Sequence, residues 1–82
     1  MKIDGILEKA DLLVYLEKRN LATQYQKAKD YLLAGHLRQV NFKIRQPKEE
    51  DVYSFRINKQ FRAFCICEEN TLIVFKIDNH QN

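Results

Sequence analysis

Eighty-two residues make one small domain, 1–82, with room for a single modest core. Apolar residues at 45%, four Tyr, five Phe, and only two Gly and one Pro exclude a disordered or low-complexity chain. A net charge of +3 permits an acidic partner such as RNA, DNA or an acidic peptide. No apolar run approaches the ~18 residues that span a bilayer, and no secretory leader is visible, so a soluble, cytoplasmic protein is expected.

Residues 3–19 read as a helix, because Ile3, Ile6, Leu7, Ala10, Leu13 and Val14 recur at the spacing of one buried stripe. Asp4 is the expected cap, Glu8 favours the positive helix end, and Lys18 and Arg19 favour the negative end. Asn20 breaks the helix and is the expected N-cap of a second one over 21–34, whose stripe is Leu21, Tyr25, Ala28 and Leu32. Gly35 stands where a left-handed residue ends a helix, followed by His36 near the negative pole. So short a link predicts an antiparallel helix hairpin.

From Gln39 the period changes to two. Val40, Phe42 and Ile44 alternate with Gln39, Asn41, Lys43 and Arg45, which predicts a strand with one apolar and one partly basic face. QPKEED, 46–51, is a loop around the only proline. Three strands follow, about 52–57, 61–67 and 72–77, joined by Asn58-Lys59-Gln60 and by Glu68-Glu69-Asn70-Thr71. Consecutive short loops imply antiparallel neighbours. The expected fold is α+β: an N-terminal helix hairpin packed on a four-stranded antiparallel sheet.

Loop length sets where the arginines point. A three-residue loop pairs Ile57 with Phe61 and Arg56 with Arg62. Tyr53, Phe55, Ile57, Phe61, Ala63 and Cys65 then share the face toward the helices, and both arginines emerge together on the other face. A two-residue loop would set Ile57 beside Arg62, so the first register separates apolar from charged better. The last strand resists this division: Leu72, Val74 and Lys76 alternate with Ile73, Phe75 and Ile77, apolar on both sides. Phe64 and Ile66 fall on the arginine face, giving it an apolar half that suits a partner. Cys65 and Cys67, two apart on one strand face, cannot easily bridge and read as buried free thiols.

The segment VYSFRINKQFRAFCICEENTLIVFKIDNH resembles the C-terminal half of the RelE/ParE superfamily of bacterial toxins, closest to its YoeB-like and HigB-like branches. The shared pattern is an aromatic-x-x-Arg-Ile segment, a short loop, an aromatic-Arg strand start, an acidic turn, an apolar strand and a terminal histidine. The family has a strand before its helix hairpin, where this chain offers at most MKI. The YoeB-like branch ends in His-Tyr, where His80 here is followed by Gln81 and Asn82. The resemblance implies a cytosolic toxin of a toxin–antitoxin pair, a ribosome-dependent mRNA endonuclease that needs no metal or cofactor, with mRNA on the ribosome and a cognate antitoxin as partners.

Metal-free RNA cleavage needs a base at the 2′-hydroxyl, cations on the crowded phosphate and an acid at the leaving 5′-oxygen. Arg62 and Arg56 suit the phosphate through their planar forks, and His80 suits the acid or base because imidazole titrates near neutrality. Lys43, Arg45 and Lys59 are the expected RNA-backbone contacts. Glu49 and Glu50 lie where the YoeB-like branch carries its glutamate base, without a positional match. The plainer alternative for the two arginines is a solvated face paired with Asp51 or Glu68. The alternative function is a non-nuclease binding module, either a ParE-like gyrase inhibitor or an inactive toxin homologue.

Overall fold

The computed structural model of the chain describes residues 1–79, so His80 lies outside the described residues. The chain order is β1 (Gly5–Glu8), α1 (Ala10–Lys18), α2 (Ala22–Leu33), a 3-10 turn (Leu37–Val40), β2 (Lys43–Ile44), a second 3-10 turn (Lys48–Glu50), β3 (Val52–Arg56), β4 (Phe61–Glu68) and β5 (Thr71–Asn79). The strands form one sheet in the order β1-β5-β4-β3-β2. The class is α+β as expected, but the sheet has five strands and is mixed: β1 runs parallel to β5, and the other neighbours are antiparallel. Among the described residues no helix is long and apolar enough to cross a membrane.

The helix expected over 3–19 is a strand followed by a shorter helix. Its supposed stripe misleads because β1 carries an inverted pattern. Ile6 and Glu8 point toward the helices while Leu7 points out, 61% exposed. On α1 the inward residues are Leu12, Tyr15 and Leu16, and Leu13 and Val14 are exposed. Asp4 caps nothing; its N–H donates to the Asn70 carbonyl at 2.8 Å, tying the start of β1 to the β4–β5 turn.

Both helices end in the same way. Asn20, with φ 58°, follows α1, and its N–H donates to Glu17 while the Leu21 N–H donates to Leu16. Gly35, with φ 85°, follows α2, and its N–H donates to Leu32 while the His36 N–H donates to Tyr31. These are Schellman ends, which use orphan carbonyls and favour contact across the bend. That contact is Leu16 with Leu21, both buried, at the first, and Tyr31 edge-on to His36 at 6.4 Å at the second. Asn20 therefore terminates α1 and does not cap α2, whose N-terminal residue Leu21 offers no side-chain acceptor.

The strand expected over 39–45 shrinks to Lys43–Ile44. Val40 is still buried, and Phe42 and Ile44 half-buried, so the alternation identifies a face correctly. Asn41, with φ 51°, reverses the backbone between them, and the Phe42 N–H donates back to Leu37 at 3.1 Å.

The register of β3 and β4 is the expected one. Arg56 lies opposite Arg62, and the Ile57 N–H donates to the Phe61 carbonyl at 3.0 Å. Phe55, Ile57, Phe61, Ala63 and Cys65 are buried beneath Leu16, Leu21, Tyr25, Ala28 and Leu32 of the helix layer. Tyr25 stacks on Phe55 at 6.2 Å and Tyr15 meets Phe61 edge-on at 6.5 Å. The β4–β5 turn is tighter than expected: Glu69 and Asn70 both have positive φ, which matches the right-handed twist of a two-residue hairpin.

β5 changes phase halfway. Cys65 lies opposite Val74 and Phe64 opposite Lys76, so Phe75 is an unpaired extra residue, a β-bulge. Leu72 and Val74 face the core before the bulge, and Ile77 faces it after. This resolves the two-sided apolar pattern of 72–77.

The edge strand β1 is pinned to α2 by a polar contact inside the apolar layer. The Glu8 carboxylate accepts from the Tyr25 hydroxyl at 2.8 Å and from the Lys29 ammonium at 3.3 Å. The Glu8 and Lys29 side chains keep only 13% and 15% of their exposure, so the pair is poorly screened by water. Burial, and next the Glu8 hydrogen bond, push the Tyr25 hydroxyl well above the ordinary phenol range. Burial, and then neighbouring Cys67, push the Cys65 thiol up to about 12. Both cysteines are free.

Replacing Glu8 by Ala leaves Tyr25 and Lys29 without their acceptor. The expected cost is about 2–3 kcal/mol, seen as a melting temperature lower by about 10 °C or more in circular dichroism. The raised Cys65 pKa also fixes a pH dependence. A thiol that ionises at 9.0 when unfolded and near 12 when folded stabilises fully below pH 9 and loses that contribution as pH rises toward 12. In urea melts Cys65 should account for a loss of about 2–3 kcal/mol by pH 11, and Cys65→Ala should flatten the decline most between pH 9 and 10, where Tyr25 contributes little.

Candidate nucleic-acid interface

The sheet face away from the helices carries the charged site. Strand alternation places Lys43 and Arg45 of the β2 segment, Ser54 and Arg56 of β3, and Arg62, Phe64 and Ile66 of β4 on it. Arg45 continues the β2 pairing beyond Ile44, its N–H donating to the Val52 carbonyl at 2.6 Å. The bulge adds Lys76 and Asp78 of β5, which lie opposite Phe64 and Arg62.

Arg56 and Arg62 are direct cross-strand partners, with Cα atoms about 4.5–5.5 Å apart. Arg56 is exposed and Arg62 half-buried. Asp78, on the other side of Arg62, is its β5 partner. Among the described residues none of Lys43, Arg45, Arg56, Lys59, Arg62 and Lys76 takes part in an ion pair, so neither Asp51 nor Glu68 neutralises the arginines. Glu68 lies at the far end of β4, opposite Thr71.

At the centre of the face stands the half-buried ring of Phe64. The Arg45 guanidinium lies 5.4 Å from its centroid and the Lys76 ammonium 5.7 Å. Ser54, opposite Phe64 on β3 and opposite Lys43 on β2, is 1% exposed. Arg56 also borders a cleft of about 300 Å³ between α2 and the 3-10 turn Leu37–Val40, lined by Lys27, Tyr31 and Gln39 among others.

Of the residues expected to act on RNA, the fold thus brings Arg56, Arg62, Lys43 and Arg45 onto one face. Lys59 sits at the exposed tip of the loop beside the arginine pair. The Asn58 carboxamide holds that loop: its oxygen accepts from the Gln60 and Phe61 N–H groups at 2.8 Å, and its nitrogen donates to Gln24 of α2 at 2.8 Å. Glu49 and Glu50 lie exposed in the second 3-10 turn. Sequence reasoning missed Lys76 and Asp78, because unbroken alternation from Val74 turns both inward. The polar-apolar-polar run Lys76-Ile77-Asp78, out of phase with Leu72 and Val74, was the available signal.

Two like charges directly opposite each other oppose folding. Arg56→Thr, which also suits a strand, is therefore expected to raise stability by about 0.2–1 kcal/mol, a few degrees in a thermal melt, while weakening any polyanion complex. Comparison with protein-family models, with curated proteins and with solved structures finds no match for this chain.

Proposed function

We propose that the protein is a RelE/ParE-type toxin that cleaves mRNA on the ribosome, in the cytoplasm, and is held in check by a cognate antitoxin. The observation that carries this reading is the Arg56–Arg62 pair on a sheet face where Lys43, Arg45 and Lys76 also lie without ion-pair partners among the described residues. Two cations at strand-pair distance are relieved when an anion sits between them, and a phosphodiester fits that need. The strand β1 ahead of the helices adds support, since the family has one there. So does the end of β5, where Asp78 lies opposite Arg62 and Asn79 opposite Phe61.

In this mechanism the 2′-hydroxyl oxygen attacks the adjacent phosphorus as the bond from phosphorus to the 5′-oxygen breaks. The products are a 2′,3′-cyclic phosphate and a free 5′-hydroxyl. Arg62 and Arg56 stabilise the negative charge that gathers on the phosphoryl oxygens. The 2′-hydroxyl gives up a proton and the leaving 5′-oxygen takes one; His80 serves as the acid or the base in that exchange, a role that comes from the family resemblance.

Purified protein in a translating extract is expected to cut mRNA within codons and leave 5′-hydroxyl ends. Naked mRNA should be cut far more slowly. Arg56→Ala with Arg62→Ala should lower the rate about 10²-fold or more. Unchanged cutting by that double variant overturns the residue assignment. Intact mRNA after incubation with the native protein overturns the nuclease reading and leaves the binding module.

A further inference from the structure

The Arg45–Phe64–Lys76 cluster has no part in the cleavage chemistry above. The ring stands at the middle of the cationic face, flanked by a cation from the β2 side and a cation from the β5 side. The fold builds this arrangement in two ways. The β2 segment carries its pairing on to Arg45, opposite Val52, and the Phe75 bulge turns Lys76 outward beside the ring. With a regular β5, Phe75 would take the place opposite Phe64, and Lys76 would point inward.

We propose that Phe64, with Arg45 and Lys76, forms a seat for one unpaired nucleobase, so that this face takes single-stranded RNA in preference to duplex. The inference rests on the reading of the face as an RNA surface. A base offers a flat π surface to the ring of Phe64 and to the planar guanidinium of Arg45, and such stacking tolerates any base. Arg45 and Lys76 are long, flexible side chains that can move off the ring onto the phosphates on either side of the seated base. Duplex RNA keeps its bases stacked on each other and offers the ring nothing. Phosphate contacts from Arg56 and Arg62 hold the strand, and Phe64 selects its unpaired state.

Fluorescence anisotropy with a labelled single-stranded RNA octamer tests this. Phe64→Leu keeps an apolar side chain and removes the ring; it should bind about tenfold more weakly with an unchanged salt slope. Arg56→Ala with Arg62→Ala should instead reduce the salt slope. An octamer with abasic central positions should bind native protein and Phe64→Leu alike. Phe64→Trp should keep native affinity, and because the chain has no other Trp, its fluorescence reports on the seat directly. The octamer should quench it, and inorganic polyphosphate should not. If Phe64→Leu binds the octamer as native protein does, or the Trp variant binds without quenching, the seat is overturned while the phosphate face stands. If native protein binds no RNA at low salt, the RNA surface itself falls, and the seat with it.

Discussion

The bulge that leaves Phe75 unpaired is the constraint on which both faces of the sheet depend. Without it, Ile77 would leave the core, at a cost of about 1.5–3 kcal/mol in lost burial. Lys76 and Asp78 would turn toward the helix layer, where each charge would need a partner. The bulge removes both costs at once. It also sets Lys76 beside Phe64 and Asp78 beside Arg62 on the outer face. Leaving one residue unpaired therefore keeps Ile77 in the core on one side and Lys76 and Asp78 on the charged face on the other.

How far the sequence discloses this depends on whether a segment's apolar pattern agrees with its backbone. β3 and β4 agree: Phe55, Ile57, Phe61, Ala63 and Cys65 alternate cleanly, and the three-residue loop between them leaves one register that separates apolar from charged. The Arg56–Arg62 pair was legible for that reason. β1 disagrees. Its inward Glu8 looks like a surface residue and its outward Leu7 looks like core, because the partners that make Glu8 tolerable there, Tyr25 and Lys29, lie about twenty positions later. No local period can report a contact of that range. The same holds for Phe42, whose place is set by stacking on Tyr53 at 5.3 Å although its own segment is largely a turn.

A domain of this size has little stability to spare. Against that background the like-charged Arg56–Arg62 contact is informative. The sheet accepts a pairing that opposes folding, and Asp78 offsets it only from one side. The half-buried Glu8–Lys29 pair is a different case. There, opposite charges and the Tyr25 hydroxyl satisfy each other in a layer that water hardly reaches, and the result ties the edge strand β1, which pairs with β5 on its other side, to α2. One ionic contact serves the fold, and the other opposes it.

The outer face is built on the regular part of the sheet. Arg62, Phe64 and Lys76 sit in the two longest strands, so their backbones are fixed before any partner arrives. The loop between Arg56 and Arg62 joins the two strands that carry the pair. Asn58 closes it from within through two backbone N–H groups, and its bond to Gln24 fastens it to α2. The repulsion is therefore held in the backbone and cannot relax by opening the hairpin. The long side chains of Arg56 and Arg62 then project from a backbone that two paired strands and one tied loop define.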